Sequence, residues 1–158
     1  MDTIVVSIEP PMQAEVSSLL READAVAAAL YPGEDRPSIT AKSLEKPGTY
    51  VLVARSAGTA VGLCVLFRRT DRTMELKRMI VDRNARGMGI GKALLQGAEA
   101  EAWRFGVQEI VLEVGIRNTE AQALYRRAGY QPCEAFPPYK ALPISLFMHR
   151  LIAQPSSA

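Results

Sequence analysis

The chain has 158 residues, 48% of them hydrophobic, with 19 basic and 17 acidic side chains for a formal charge of +2. With a mean hydropathy near zero, this suits one compact domain over residues 1–158 and leaves no comfortable room for a second. The near-balanced charge argues against a dedicated nucleic-acid binder, and no apolar run approaches the ~20 residues that span a membrane.

The N-terminus lacks a basic segment followed by a long apolar core, so a cytoplasmic protein is expected. Residues 3–8 form a short β-branched strand closed by Pro10-Pro11. Residues 13–30 are an Ala- and Leu-rich helical region, expected in two pieces around residues 21–24, with Val16, Leu19, Leu20, Val26 and Leu30 as its core face. Residues 31–37, Tyr-Pro-Gly-Glu-Asp-Arg-Pro, read as a loop. Strands at 50–55 and 60–68 flank Ser56-Ala57-Gly58-Thr59, a linker of hairpin length, and with residues 74–81 they predict a three-stranded antiparallel meander. Cys64 lies in an apolar run and Cys133 near a proline; the pair suggests neither a disulfide framework nor a metal site.

Residues 74–92, MELKRMIVDRNARGMGIGK, are the most informative stretch. They read as a strand, a glycine-rich turn and the head of a helix whose Ile90, Leu94, Ala98, Ala102 and Phe105 recur on one apolar stripe. Closely spaced glycines let backbone N–H groups approach a ligand. The free N–H groups and positive dipole end of a helix N-terminus favour an anion, most often phosphate. Arg86 and Lys92 bracket the turn, and residues 68–92 hold eight basic and three acidic side chains. A P-loop is excluded, because Arg86 stands where its first glycine belongs and Ala93 where its magnesium hydroxyl belongs. A dinucleotide fingerprint fits poorly, since its third glycine position is Lys92.

The helix is expected to end near Gly106, and residues 108–115 to form a strand with Ile110, Leu112 and Val114 on one face, parallel to residues 74–81 through the helical crossover. Asn118 is a plausible N-cap for a short helix over 119–128 that Gly129 stops. Residues 130–133 read as a strand, Phe136-Pro137-Pro138-Tyr139 as a rigid loop, residues 144–152 as the last strand and 154–158 as a loose tail. The only histidine, His149, has no motif around it that suggests a triad.

The pattern R-G-x-G-x-G after a strand, followed about thirty residues later by N-T-E-A-Q-A-L-Y-R-R-A-G-Y, resembles the GNAT family of N-acetyltransferases. The resemblance covers residues 50–152 and is clearest over 74–130. It implies an α/β fold with a twisted mixed sheet of six to seven strands flanked by helices, acetyl-CoA as cosubstrate, no metal, and a primary amine of a small molecule or peptide as acceptor. It places the diphosphate of CoA on Arg86, Gly87, Met88, Gly89, Ile90, Gly91 and Lys92. It also runs the pantetheine past Met79, Ile80, Val81 and Asn118 where two strands splay apart, and puts the Tyr125 hydroxyl near the sulfur. The segment over 13–30 would overlie the acceptor. A homodimer through the last strand is compatible with it.

An ammonium of pKa about 10.4 is roughly 3.4 units from neutral at pH 7, so presenting the free amine costs about 4.6 kcal/mol unless the site supplies a base. Glu75 and Glu113 are the candidates. By alternation Glu75, Lys77, Met79 and Val81 should share one face, while Glu113 lies opposite the Ile110, Leu112 and Val114 face. Family glutamates on the first of these strands often serve as base, which favours Glu75. A backbone N–H in the 79–81 segment would hold the oxyanion, and Tyr125 would protonate or hydrogen-bond the leaving thiolate. A competing class is a catalytically silent acyl-CoA-binding or sensing module that keeps the loop without turnover. A nucleic-acid regulator lacks its basic recognition helix, because the helix after the glycines carries Glu99 and Glu101.

Overall fold

In the computed structural model, which describes residues 3–33 and 39–153, seven strands form one mixed sheet in the order β1-β2-β3-β4-β5-β7-β6. The elements are β1 (Ile4–Ile8), α1 (Ala14–Leu30), β2 (Thr49–Ser56), β3 (Thr59–Arg68), β4 (Thr73–Val81), α2 (Ile90–Arg104), β5 (Glu109–Gly115), α3 (Thr119–Arg127), β6 (Gln131–Cys133) and β7 (Ser145–Leu151). β1 to β4 are successive antiparallel neighbours, and β4 pairs parallel to β5 across the α2 crossover. The expected loop residues Glu34, Asp35, Arg36 and Pro37, and the expected tail 154–158, lie outside the described residues.

Local sequence explains most of these elements. β2 and β3 join through Ala57 and Gly58, both at positive φ (49° and 84°), the pair of left-handed residues that a tight hairpin needs. α2 ends where Gly106 turns left-handed (φ 75°), and α3 ends the same way at Gly129 (φ 95°). One expectation fails: α1 is a single helix rather than two pieces. Arg21 and Glu22 are good helix formers that leave the buried stripe of Val16, Leu19 and Leu20 intact, and Asp24 pairs with Arg78 on β4 at 2.9 Å.

The sheet separates two cores. On one side Leu52, Cys64, Leu66, Met74, Leu76, Ile110, Leu112 and Met148 pack against Ile90, Leu94 and Ala98 of α2 and Tyr125 of α3. On the other, Val51, Val53, Leu63, Val65 and Ile80 pack against Val16, Leu19 and Leu20 of α1. The last strand is not a sheet edge, because β6 pairs with residues 147–149 on the side away from β5. Among the described residues no helix is long and apolar enough to cross a membrane.

α2 lies so close to β3 that a Cβ on Gly62 would meet the Ile80 carbonyl oxygen at 2.9 Å and the Ile90 side chain at 3.0 Å. Because the first of these neighbours is backbone, Gly62→Ala is expected to cost about 1–3 kcal/mol of stability through overpacking. Urea unfolding checks this, read as a lower midpoint at unchanged slope.

Candidate active site

The ladder between β4 and β5 begins at Thr73 and Glu109 and stops at Leu76 and Leu112, although β4 runs on to Val81 and β5 to Gly115. The two strands therefore part, as expected. Beside this opening the β3 and β4 register slips: Val65 faces Lys77 and Leu63 faces Ile80, so Arg78 and Met79 together oppose the single residue Cys64. Arg78 takes φ 58°, which makes this a β-bulge carried by a non-glycine residue. The extra residue reverses the alternation. Glu75 and Lys77 stay on the α1 face, whereas Met79 and Val81 pack against the α2 core, so the four do not share a face as simple alternation predicts.

A groove of about 1750 Å³ runs along the α2 and α3 side of the opening. Met79, Ile80, Val81, Arg86, Gly87, Gly89, Ile90, Gly91, Lys92 and Asn118 all line it, so the sequence-expected donor residues converge in space. Met88 does not line it; it is 52% exposed on the turn between the two glycines. Leu124, Arg127 and Arg150 also line the groove and were not expected from sequence. Leu124 could have been found, since it belongs to the same short motif as Asn118; Arg150 comes from β7 and carries no local signal.

The turn suits an anion. Gly87 and Gly89 adopt φ 81° and 76°, and nothing lies within 4 Å of where a Cβ on either would stand. The first bond within α2 runs from the Ala93 N–H to the Gly89 carbonyl at 3.0 Å. The N–H groups of Ile90, Gly91 and Lys92 therefore have no acceptor inside the helix. With Arg86 and Lys92 alongside, this donor set fits a diphosphate. Gly91 has a packing role as well: a Cβ there would strike Leu124 at 2.9 Å, so its absence lets α3 close on α2.

α3 brings two further groups. The Asn118 side-chain oxygen accepts from the Ala121 N–H at 3.2 Å, a cap of about 1 kcal/mol that fixes the start of the helix. Tyr125, one turn beyond Ala121, is buried rather than part of the groove lining, tilted against Tyr130 with ring centroids 5.8 Å apart. Burial and then the nearby Cys64 push its phenol well above the ordinary tyrosine range.

The two glutamates lie on the opposite face of the sheet from the groove, and they differ. Glu113 is exposed on β5 just past the last β4 pairing and accepts from the Ser145 hydroxyl at 2.7 Å. Glu75 is 5% exposed, and both its oxygens are engaged by Tyr139, Arg69 and Lys77. His149 lies on β7 with Nδ1 2.7 Å from Glu109, away from the opening.

With this geometry in place, the comparisons agree. The sequence profile of the Acetyltransferase (GNAT) family matches residues 16–130, and the chain belongs to that family. It is thus an acyltransferase of a family that uses acetyl-CoA and acts on small-molecule or peptide amines. An IAA acetyltransferase of Azospirillum brasilense is 37% identical over 151 residues, 95% of this chain and 99% of the relative. The N-alpha-acetyltransferase RimI of Mycobacterium tuberculosis is 37% identical over 110 residues, 66% of this chain and 67% of its own. A Klebsiella pneumoniae structure assigned to the acyl-CoA N-acyltransferases superposes with a TM-score of 0.81 at 31% identity, covering 96% of this chain and 99% of that one.

Burial also sets a pH dependence. The Cys64 thiol is pushed from 9.0 to about 12 by desolvation, and the Tyr125 and Tyr130 phenols move in the same direction. Above pH 9 the unfolded chain releases the thiol proton while the folded chain keeps it. Stability is therefore full below pH 9 and falls as pH rises towards 12, by about 1.4 kcal/mol per unit for each such group. Urea midpoints measured from pH 8 to pH 11 should decline with this sign, and Cys64→Ala should flatten the slope.

Proposed function

We propose that the protein transfers the acetyl group of acetyl-CoA directly to a primary amine of a small molecule or peptide, with both substrates bound at once. The observation that carries this reading is the parting of β4 and β5 after Leu76 and Leu112, with an anion-binding turn on one face of the sheet and a solvent-facing carboxylate on the other.

In this reading Arg86, Lys92 and the backbone N–H groups from Gly87 through Met88, Gly89 and Ile90 to Gly91 hold the diphosphate. Met79, Ile80 and Val81 line one side of the channel for the pantetheine, and Asn118 the other. The Asn118 oxygen is occupied by its own helix, so its amide N–H remains to donate to the arm. Bound acetyl-CoA supplies the thioester. Glu113 takes the proton from the incoming ammonium, offsetting the roughly 4.6 kcal/mol cost of the free amine at pH 7. A backbone N–H of the 79–81 segment, on the part of β4 that β5 does not pair, faces the carbonyl oxygen as charge develops there. As the carbon–sulfur bond breaks, the Tyr125 hydroxyl donates a hydrogen bond to the leaving sulfur, which is protonated from solvent, and Glu113, having passed its first proton to water, takes the second from the nitrogen. Burial raises that phenol well above its ordinary range, so it donates the hydrogen bond without giving up its proton.

Glu113 is assigned as base over Glu75 because it has solvent access and one engaged oxygen, whereas Glu75 has neither free. The names of the relatives point to different acceptors, so they leave the acceptor at the level of an amine.

The test is thiol release from acetyl-CoA across a panel of amines, amino acids, aminoglycosides and peptides. Acceptor-dependent release should fall at least about tenfold in Tyr125→Phe and by about 100-fold at neutral pH in Glu113→Gln. Calorimetric binding of acetyl-CoA with no acceptor-dependent release would favour the silent sensing module instead, and no binding would remove the donor assignment.

A further inference from the structure

On the sheet face opposite the groove, one carboxylate joins three separate segments. The Glu75 Oε2 accepts from the Tyr139 hydroxyl at 2.8 Å and lies 3.8 Å from the Lys77 Nζ, while Oε1 accepts from Arg69 at 3.4 Å. Arg69 also donates to the Pro137 carbonyl, and its guanidinium stands 4.7 Å from the Phe136 ring centroid. Glu75 belongs to β4, Arg69 to the turn before it, and Phe136, Pro137 and Tyr139 to the connection between β6 and β7, more than sixty residues away by the 64-residue separation of Tyr139 from Glu75. The carboxylate thus balances two cations and holds a distant loop.

That loop carries an aromatic wall. Phe136 stands edge-on to Tyr139 and to Phe147, both at 5.4 Å between centroids, and Tyr139 lies 6.1 Å from Phe147. Phe147 is the register partner of Glu113 on β5. The wall therefore adjoins the carboxylate assigned above as the base.

We propose that Glu75 is a positioning residue, which clips the β6–β7 loop across β4 and so holds Phe136, Tyr139 and Phe147 as an aromatic wall beside Glu113, fitted to an acceptor with an apolar or aromatic group next to its amine. The inference rests on the acetyltransferase reading only for its acceptor. The clip itself is a matter of hydrogen bonds. Removing the Glu75 charge leaves Arg69 and Lys77 uncompensated, and a glutamine there keeps one acceptor oxygen for Tyr139 and Arg69 to share while its amide N–H2 group faces the other donor, so the anchor of the loop that carries two of the three rings is weakened.

The test compares 2-phenylethylamine with ethylamine as acceptors in the wild type, Glu75→Gln and Tyr139→Phe, together with hydrogen exchange of residues 134–144. The wild type should show a KM for 2-phenylethylamine about tenfold or more below that for ethylamine. Each variant should raise the 2-phenylethylamine KM about tenfold with kcat changed less than about threefold, and the double variant should be no worse than either single. The acidic limb of the kcat profile should not move, and residues 134–144 should exchange faster in both variants. A roughly 100-fold fall in kcat with loss of the acidic limb in Glu75→Gln overturns the proposal and makes Glu75 the base. Equal KM values for the two amines in the wild type overturn the aromatic wall. Unchanged exchange overturns the clip whatever the activity. Faster exchange in variants of a wild type that acetylates no amine sustains the clip and removes the acetyltransferase reading instead.

Discussion

The extra residue in β4 decides which face the end of that strand presents to the opening. Had β4 kept its alternation, Met79 and Val81 would have stayed with Glu75 on the α1 face. Instead Arg78 and Met79 together face Cys64, and Met79 and Val81 turn towards α2 while Ile80 packs on the α1 side. A left-handed conformation costs a non-glycine residue roughly 1–2 kcal/mol. Arg78 is kept there by ladder pairs on both sides of it and by its ion pair with Asp24 on α1. This is strain that the surrounding structure over-determines, placed where the strands need to separate.

The bulge and the end of β4–β5 pairing divide the work between the two faces. The α2 and α3 face presents the glycine turn, whose donor set fits an anion. There the available donors are backbone N–H groups held by helix geometry, whose positions do not depend on flexible side chains. The α1 face presents side chains: Glu113, the Glu75 cluster and the aromatic rings. A donor that is the same for a whole family can be met by backbone, while an acceptor that differs between members is met by side chains on loops. The glycine turn sits on the first of these faces and the β6–β7 loop on the second.

What could be read from sequence follows the same division. The glycine turn, the α2 stripe and the Asn118 cap are local patterns whose residues are close in the chain, and each stands in the structure as its spacing implies. The bulge left no such mark, because bulges are usually signalled by glycine or asparagine and this one sits on Arg78. Strict alternation therefore misplaced Met79 and Val81. The charged residues of the 21–24 segment do not break α1, because two of them are strong helix formers and a third is an ion-pair partner of β4. The engagement of Glu75 by Tyr139 was beyond reach for a different reason. Nothing in either segment identifies a contact across 64 residues, so the resemblance favours Glu75 over Glu113 while the engagement of Glu75 shows only in the structure.

The side of α3 that meets the core sets the surroundings of Tyr125. A phenol in water already holds its proton at neutral pH, but one beside cationic groups would lose it more readily, and the groove is lined by Arg86, Lys92, Arg127 and Arg150. Tyr125 is set apart from them in an apolar shell that includes Cys64, Leu66, Met148 and the tilted ring of Tyr130. In that shell an ionised phenol would be poorly solvated, so burial pushes the phenol up, and the nearby Cys64 acts in the same direction. The Tyr130 hydroxyl beside it is buried and finds no hydrogen-bond partner among the described residues. Glu99, half-buried on α2, is bound by Arg150 at 2.9 Å, which keeps the neighbouring carboxylate occupied. The same apolar packing that seats α3 on the sheet therefore sets the protonation state of its one tyrosine nearest the bulge.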